Sequence, residues 1–143
     1  MLRIYKVKPK VMVKARYWIS IIWAIVILIL CGMPPKDVEA IKFVDIPYLD
    51  KIAHFALYLV FGLLVMAVLT LHKRLKASNW IYVIAILICI LYGWLIEVLQ
   101  RAIFPGRSYE LMDLVADTAG AVIGVLLYGW VSRKLKRWLK IEE

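Results

Sequence analysis

The chain has 143 residues, of which 64% are apolar, and a mean hydropathy of +0.82. A soluble domain is about 45–50% apolar, so this chain lacks the polar residues to cover its own core, and the excess must face lipid. Nineteen Lys and Arg against ten Asp and Glu give +9, but the positive residues flank apolar runs, which points to membrane topology and away from nucleic acid.

Residues 1–16 form a basic segment with Arg3, Lys6, Lys8, Lys10, Lys14 and Arg16 and no acid. Residues 17–33 carry no charge and are long enough to cross a hydrocarbon core of ~30 Å at ~1.5 Å per residue. Pro34-Pro35 stops that helix, because proline supplies no backbone donor. The apolar core is long and no A-x-A-like site follows it, so a retained first span is expected instead of a cleaved signal. A mixed-charge loop leads to a second span, residues 50–71, whose ionisable groups Asp50, Lys51 and His54 all fall in its first turns. His72 to Lys76 make a short basic hinge.

The third span covers residues 80–103 and carries Glu97, Gln100 and Arg101 near its end. Phe104-Pro105-Gly106-Arg107 reads as a tight turn. Ser108 is a candidate cap for the fourth span, residues 109–131, with Glu110 in its first turn. Residues 132–143 read as a basic amphipathic tail at the membrane surface. Trp18, Trp80 and Trp138 suit interface anchors. Cys31 and Cys89 lie in apolar runs and read as small buried residues. Only helices or closed barrels satisfy backbone groups in lipid, and these runs are twice the length of a barrel strand. The predicted fold is therefore all-α: a polytopic membrane protein whose residues 17–131 form a bundle of four transmembrane helices.

Segments 1–16, 72–79 and 132–143 hold 14 of the 19 positive residues, whereas the other two loops and adjoining helix ends hold five, with eight of the ten acids. The positive-inside rule then puts both termini and the hinge in the cytoplasm. This topology gathers the ionisable residues of the last three spans at the outer end.

Spacing assigns them to faces. Asp50, His54 and Tyr58 recur at i+4, as do Asp113 and Asp117, and Ala116, Gly120 and Gly124 continue near the latter stripe. Small residues there admit a neighbouring helix. A charge deep in a membrane helix costs ~2.5–3.5 kcal/mol on insertion scales, so Glu97 and Asp117 need partners or a wet site. Two readings stand: ion pairs and hydrogen bonds that fix the bundle, such as Glu97 with Arg101 or Arg107, or an outward-facing polar site. In the second, Glu97, His54 and Asp113 are the candidate catalytic groups, and Asp50, Lys51, Gln100, Arg107 and Asp117 the candidate binding groups. Lys51, Arg101 and Arg107 suit a phosphate or carboxylate, and equally lipid headgroups. Although His54, Glu97, Asp113 and Asp117 contain metal-ligating types, no HExxH-like motif organises them, and neither a metal nor a cofactor is expected.

The same residues carry a family resemblance. Asp50-Lys51-x-x-His54-Phe55-x-x-Tyr58 is followed by Tyr92-Gly93-x-x-x-Glu97-x-x-Gln100, then Pro105-x-Arg107, then Asp113-x-x-x-Asp117-x-x-Gly120-x-x-x-Gly124. In order and spacing this resembles the two signatures of VanZ-like proteins over residues 45–130. That family usually has asparagine at the position of Asp117, so here the residue must be protonated, paired or bound to a cation. The resemblance implies a small protein of the bacterial plasma membrane, with membrane lipid as neighbour. It also implies a role in resistance to teicoplanin-type glycopeptides, and the glycopeptide or a lipid-linked envelope precursor as partner. It implies no reaction. An enzyme acting on a lipid-linked or cell-wall substrate and a structural or assembly module are the alternatives. A homo-oligomer is compatible with four spans, since a dimer would supply eight.

Overall fold

The computed structural model describes residues 9–31, 48–103 and 110–138. Among these the secondary structure is entirely helical: α1 (Pro9–Cys31), α2 (Leu49–Leu69), the single turn α3 (Lys73–Lys76), α4 (Trp80–Ile103) and α5 (Leu111–Trp138). Four helices are long and apolar enough to cross a membrane. The shortest apolar segments have 21 residues, or ~32 Å of helix, about the thickness of a hydrocarbon core. The fold is the expected all-α bundle. The basic hinge is ordered as α3, and the chain turns directly from it into α4.

Most boundaries fall within two residues of the sequence reading, and two differ by more. α1 begins at Pro9, so part of the basic segment is already helical. A proline is well placed there, since the first helical residue donates no intrahelical bond. α5 runs unbroken to Trp138, so the start of the basic tail is a direct continuation of the fourth span. Arg133, Lys134, Lys136 and Arg137 are helix formers, and nothing between Val131 and Trp138 interrupts the hydrogen-bond ladder. The expected turn at 104–107, the Ser108 cap and the loop after Pro34 lie outside the described residues.

α2 is the central helix, and its most extensive contact is with α5. The two run in parallel from the same end of the bundle, and glycines bring their backbones together. A Cβ on Gly120 would meet the carbonyl of Phe55, and one on Gly124 the carbonyl of Leu59. On the opposing helix, a Cβ on Gly62 would lie 2.6 Å from the carbonyl of Ala121. In lipid, with no water to expel between helices, such close van der Waals packing drives association.

α1 packs along α2 and α4 but stays peripheral; only 6% of its apolar window is buried. Its side chains reach carbonyls of its neighbours. Trp23 Nε1 donates to Leu57 O (3.0 Å), Ser20 Oγ to Leu64 O (3.3 Å) and Arg16 to Ala67 O (3.3 Å). Tyr92 Oη returns a bond from α4 to Ala24 O at 2.6 Å. Large apolar side chains such as Ile22, Ile29, Leu91 and Leu126 project outward, as a lipid-facing surface requires. Trp18, Trp80 and Trp138 are also outward-facing, at 63%, 69% and 79% exposure.

Replacing Gly124 by Leu is expected to force α2 and α5 apart and to lower stability by at least ~1–3 kcal/mol, the range for overpacking a tight core. Gly129→Ala is the control, because the nearest atom to its added Cβ is the Arg133 side chain at 3.8 Å. It is expected to be neutral or slightly stabilising. Reversible unfolding in mixed micelles measures both.

Candidate functional site

Antiparallel neighbours place the end of α1, the start of α2, the end of α4 and the start of α5 at one end of the bundle. The hydrophobic stripe that packs each helix also fixes its rotation, and this turns the polar side chains inward. His54, Glu97, Gln100, Asp113 and Asp117 are buried, with exposures of 6%, 2%, 4%, 5% and 2%. Asp50 and Glu110 stand at the rim, about half exposed.

Lys51 organises the rim. Its ammonium lies 3.0 Å from Asp50 Oδ2 and 2.5 Å from Asp113 Oδ1, and it also donates to Glu110 Oε2. These three carboxylates come within 4.8 Å of one another, the spacing of a metal site. Here the Lys51 ammonium lies among them and supplies the positive charge. Asp50 and Asp113 are also in the first turns of α2 and α5, where the helix dipole favours a negative charge. Glu110 directly precedes α5 and leaves the first turn to Asp113, because the helix starts at Leu111, two positions later than the sequence reading places it.

Below the rim, His54 Nδ1–H donates to Asp117 Oδ1 at 2.9 Å. Its Nε2 faces Asp113 Oδ2 at 3.9 Å, too long for a hydrogen bond but within ion-pair range. Of the three states open to a buried aspartate at position 117, the structure has it paired with histidine. A carboxylate on one ring nitrogen fixes the tautomer and leaves the other nitrogen to take up or release a proton. Gly93 makes room for this arrangement: a Cβ there would lie 3.1 Å from Asp117 Oδ2 and 3.4 Å from the Tyr58 hydroxyl. A side chain at the glycine of the Tyr92-Gly93 motif would thus press on a neighbouring carboxylate, which would have to give by a few tenths of an ångström.

Glu97 faces the same interior. Its Oε2 accepts the backbone N–H of Glu110 at 3.3 Å. Its Oε1 and the Tyr58 hydroxyl are buried without a hydrogen-bond partner among the described residues. The expected Glu97–Arg101 pair is absent among the described residues, where Arg101 is exposed and ion pairs go to Lys51 and His54. Arg107 lies outside the described residues.

Sequence reasoning missed one participant. The C-terminal turn of α1 closes the cluster: Gln100 Nε2 donates to Cys31 O at 2.5 Å, and the Cys31 side chain interacts with His54. The unpaired carbonyls of a helix's last turn need such donors. No spacing signal in the sequence links residue 31 to residues 54 and 100. The end of α1 thus forms part of the wall of the cluster, beside the three helices that carry its ionisable residues.

Lys51→Met is expected to leave Asp50, Glu110 and Asp113 repelling one another and to lower stability by ~1–3 kcal/mol, discounted from fully buried pairs because Lys51 is partly exposed. Adding Asp113→Asn to Lys51→Met is expected to recover part of that loss, and a double-mutant cycle on unfolding free energies measures the coupling.

No curated protein and no solved structure matches the chain. The family model described as VanZ/LLP1 matches residues 9–132. The match reaches beyond the two signatures to take in all of α1, the helix whose end completes the polar cluster. Four membrane-crossing helices, the signature residues brought to one end of the bundle, and a match over most of the sequence lead to one assignment: the chain belongs to the VanZ/LLP1 family.

Proposed function

We propose that this VanZ-like protein is a multi-pass protein of the bacterial plasma membrane that presents its polar end outward and there reduces the action of a teicoplanin-type glycopeptide. One observation carries the reading: a lipid-facing bundle buries His54, Glu97, Asp113 and Asp117 together at one end. Charges embedded in a membrane protein are retained for function more often than for packing. The outward orientation follows from the charge bias, with 14 of 19 positive residues assigned to the opposite side. The neighbours at that level are lipid headgroups and envelope precursors, which are also the surroundings of the glycopeptide's target.

A second reading is favoured by Glu97 and by the oriented His54. In it the protein is a membrane enzyme on a lipid-linked or cell-wall substrate, with Glu97 as general base and His54 and Asp113 assisting. Arg107 holds an anionic group of that substrate. Asp50, Lys51, Gln100 and Asp117 bind or position in both readings.

The test is expression of the parent chain and Glu97→Gln in a glycopeptide-susceptible host, at matched membrane levels. The parent is expected to raise the minimum inhibitory concentration of teicoplanin severalfold, and Glu97→Gln to return it to the baseline. An unchanged susceptibility with the parent removes the resistance reading. Turnover of a lipid-linked precursor by purified parent, lost in Glu97→Gln, selects the enzyme reading. Loss of function that tracks loss of stability across Glu97→Gln and Asp117→Asn indicates a packing role alone.

A further inference from the structure

We propose that the polar end of the bundle binds a primary ammonium group, with Glu97 as the anchoring carboxylate. The inference rests on the reading of this end as a site, and it names the chemical class of what the site takes.

Charge and hydrogen bonding both point there. The end carries the carboxylates of Asp50, Glu97, Glu110, Asp113 and Asp117 against Lys51, His54 and the exposed Arg101 in the last turn of α4 among the described residues. Lys51 is shared by three of the five, and His54 bonds Asp117. Glu97 is left with one backbone N–H on Oε2, while Oε1, on a side chain only 2% exposed, has no donor among the described residues. A buried acceptor without a donor costs ~1–3 kcal/mol, and more when it is charged. A ligand that brings N–H donors and positive charge removes both deficits.

The spacing selects ammonium over a metal ion. Among the described residues the metal-spaced carboxylates are Asp50, Glu110 and Asp113, and Glu97 is outside that set. Its neighbours His54, Asp113 and Asp117 are near enough to act on it electrostatically but do not converge with it on one small ion. An ammonium has three N–H donors and bridges acceptors held further apart. The Lys51 ammonium, held by three carboxylates at the adjoining rim, shows that this end already accommodates that group. Glu97 lies just beneath the rim: Glu110, whose N–H bonds it, has its own side chain half exposed. The ammonium source is therefore at headgroup level, either an aminolipid or a free amine on an envelope molecule.

The test uses the full chain in phosphatidylcholine nanodiscs, since choline has no N–H. Ethanolamine hydrochloride is titrated against tetramethylammonium chloride and calcium chloride at matched ionic strength. Saturation-transfer NMR and the melting temperature are followed, a ligand specific to the native state raising the latter. Saturable transfer and a rising melting temperature with ethanolamine, but not with tetramethylammonium, support the proposal. So does at least about tenfold weaker binding to Glu97→Gln, as loss of a charge-assisted hydrogen bond predicts. If Glu97→Gln fails to fold, Glu97→Asp keeps the charge but retracts it, and the same weakening is expected. Doping the nanodiscs with phosphatidylethanolamine identifies the source. A shift from the lipid that suppresses ethanolamine binding assigns the site to an aminolipid, and binding of ethanolamine unaffected by the lipid assigns it to a free amine.

No saturable transfer from either amine overturns the proposal. Equal response to tetramethylammonium, unchanged binding in Glu97→Gln or Glu97→Asp, or a response to calcium alone also overturns it. The two readings fail separately. Teicoplanin protection without amine binding sinks this inference only, and amine binding without protection sinks the resistance reading only.

Discussion

The close approach of α2 and α5 governs the molecule. Gly120 and Gly124 accept the backbone of α2, and Gly62 accepts that of α5, so the two parallel helices meet with almost no side chain between them. Their register then sets every polar pair across the interface: Lys51 with Asp113 and His54 with Asp117. A side chain at Gly124 would break the packing and separate the charges at once. In a membrane this dependence is severe, because packing replaces the hydrophobic effect as the force that holds helices together.

The polar end is the counterpart of that packing. Burying carboxylates near the membrane is tolerable only if they are paired and hydrogen-bonded. Most are: Asp113 by Lys51, Asp117 by His54, and one oxygen of Glu97 by a backbone N–H. The second oxygen of Glu97 and the Tyr58 hydroxyl have no hydrogen-bond partner among the described residues, and Asp113 Oδ1 meets the Lys51 ammonium as an ion pair alone. The bundle thus tightens around its glycines in the middle and keeps polar groups in reserve at one end.

The helix least involved in packing also has a role at that end. α1 is largely lipid-facing, yet the carbonyl and side chain of Cys31 at its end meet Gln100 and His54. The family match from residue 9 onward agrees with this, since it includes α1. A four-helix unit with a three-helix core and one closing helix describes the architecture better than an anchor attached to a three-helix site.

The spans, the all-α class and the gathering of ionisable residues at one end are legible in the amino-acid order alone. These depend on hydropathy, length and the alternation of direction, all one-dimensional properties. The same order marks Gly120 and Gly124 as a small-residue stripe, because i+4 spacing on a helix is legible without a partner. Which polar groups bond one another is set by the packing of the helices. Pairing depends on each helix's rotation and register, set by contacts such as Gly62 on Ala121 that no local pattern reveals. Hence the Glu97–Arg101 pair, reasonable by spacing along one helix, gave way to Glu97 against the Glu110 backbone. In the same way Lys51, which suits an anionic ligand by sequence, proved to be engaged by three carboxylates of its own chain.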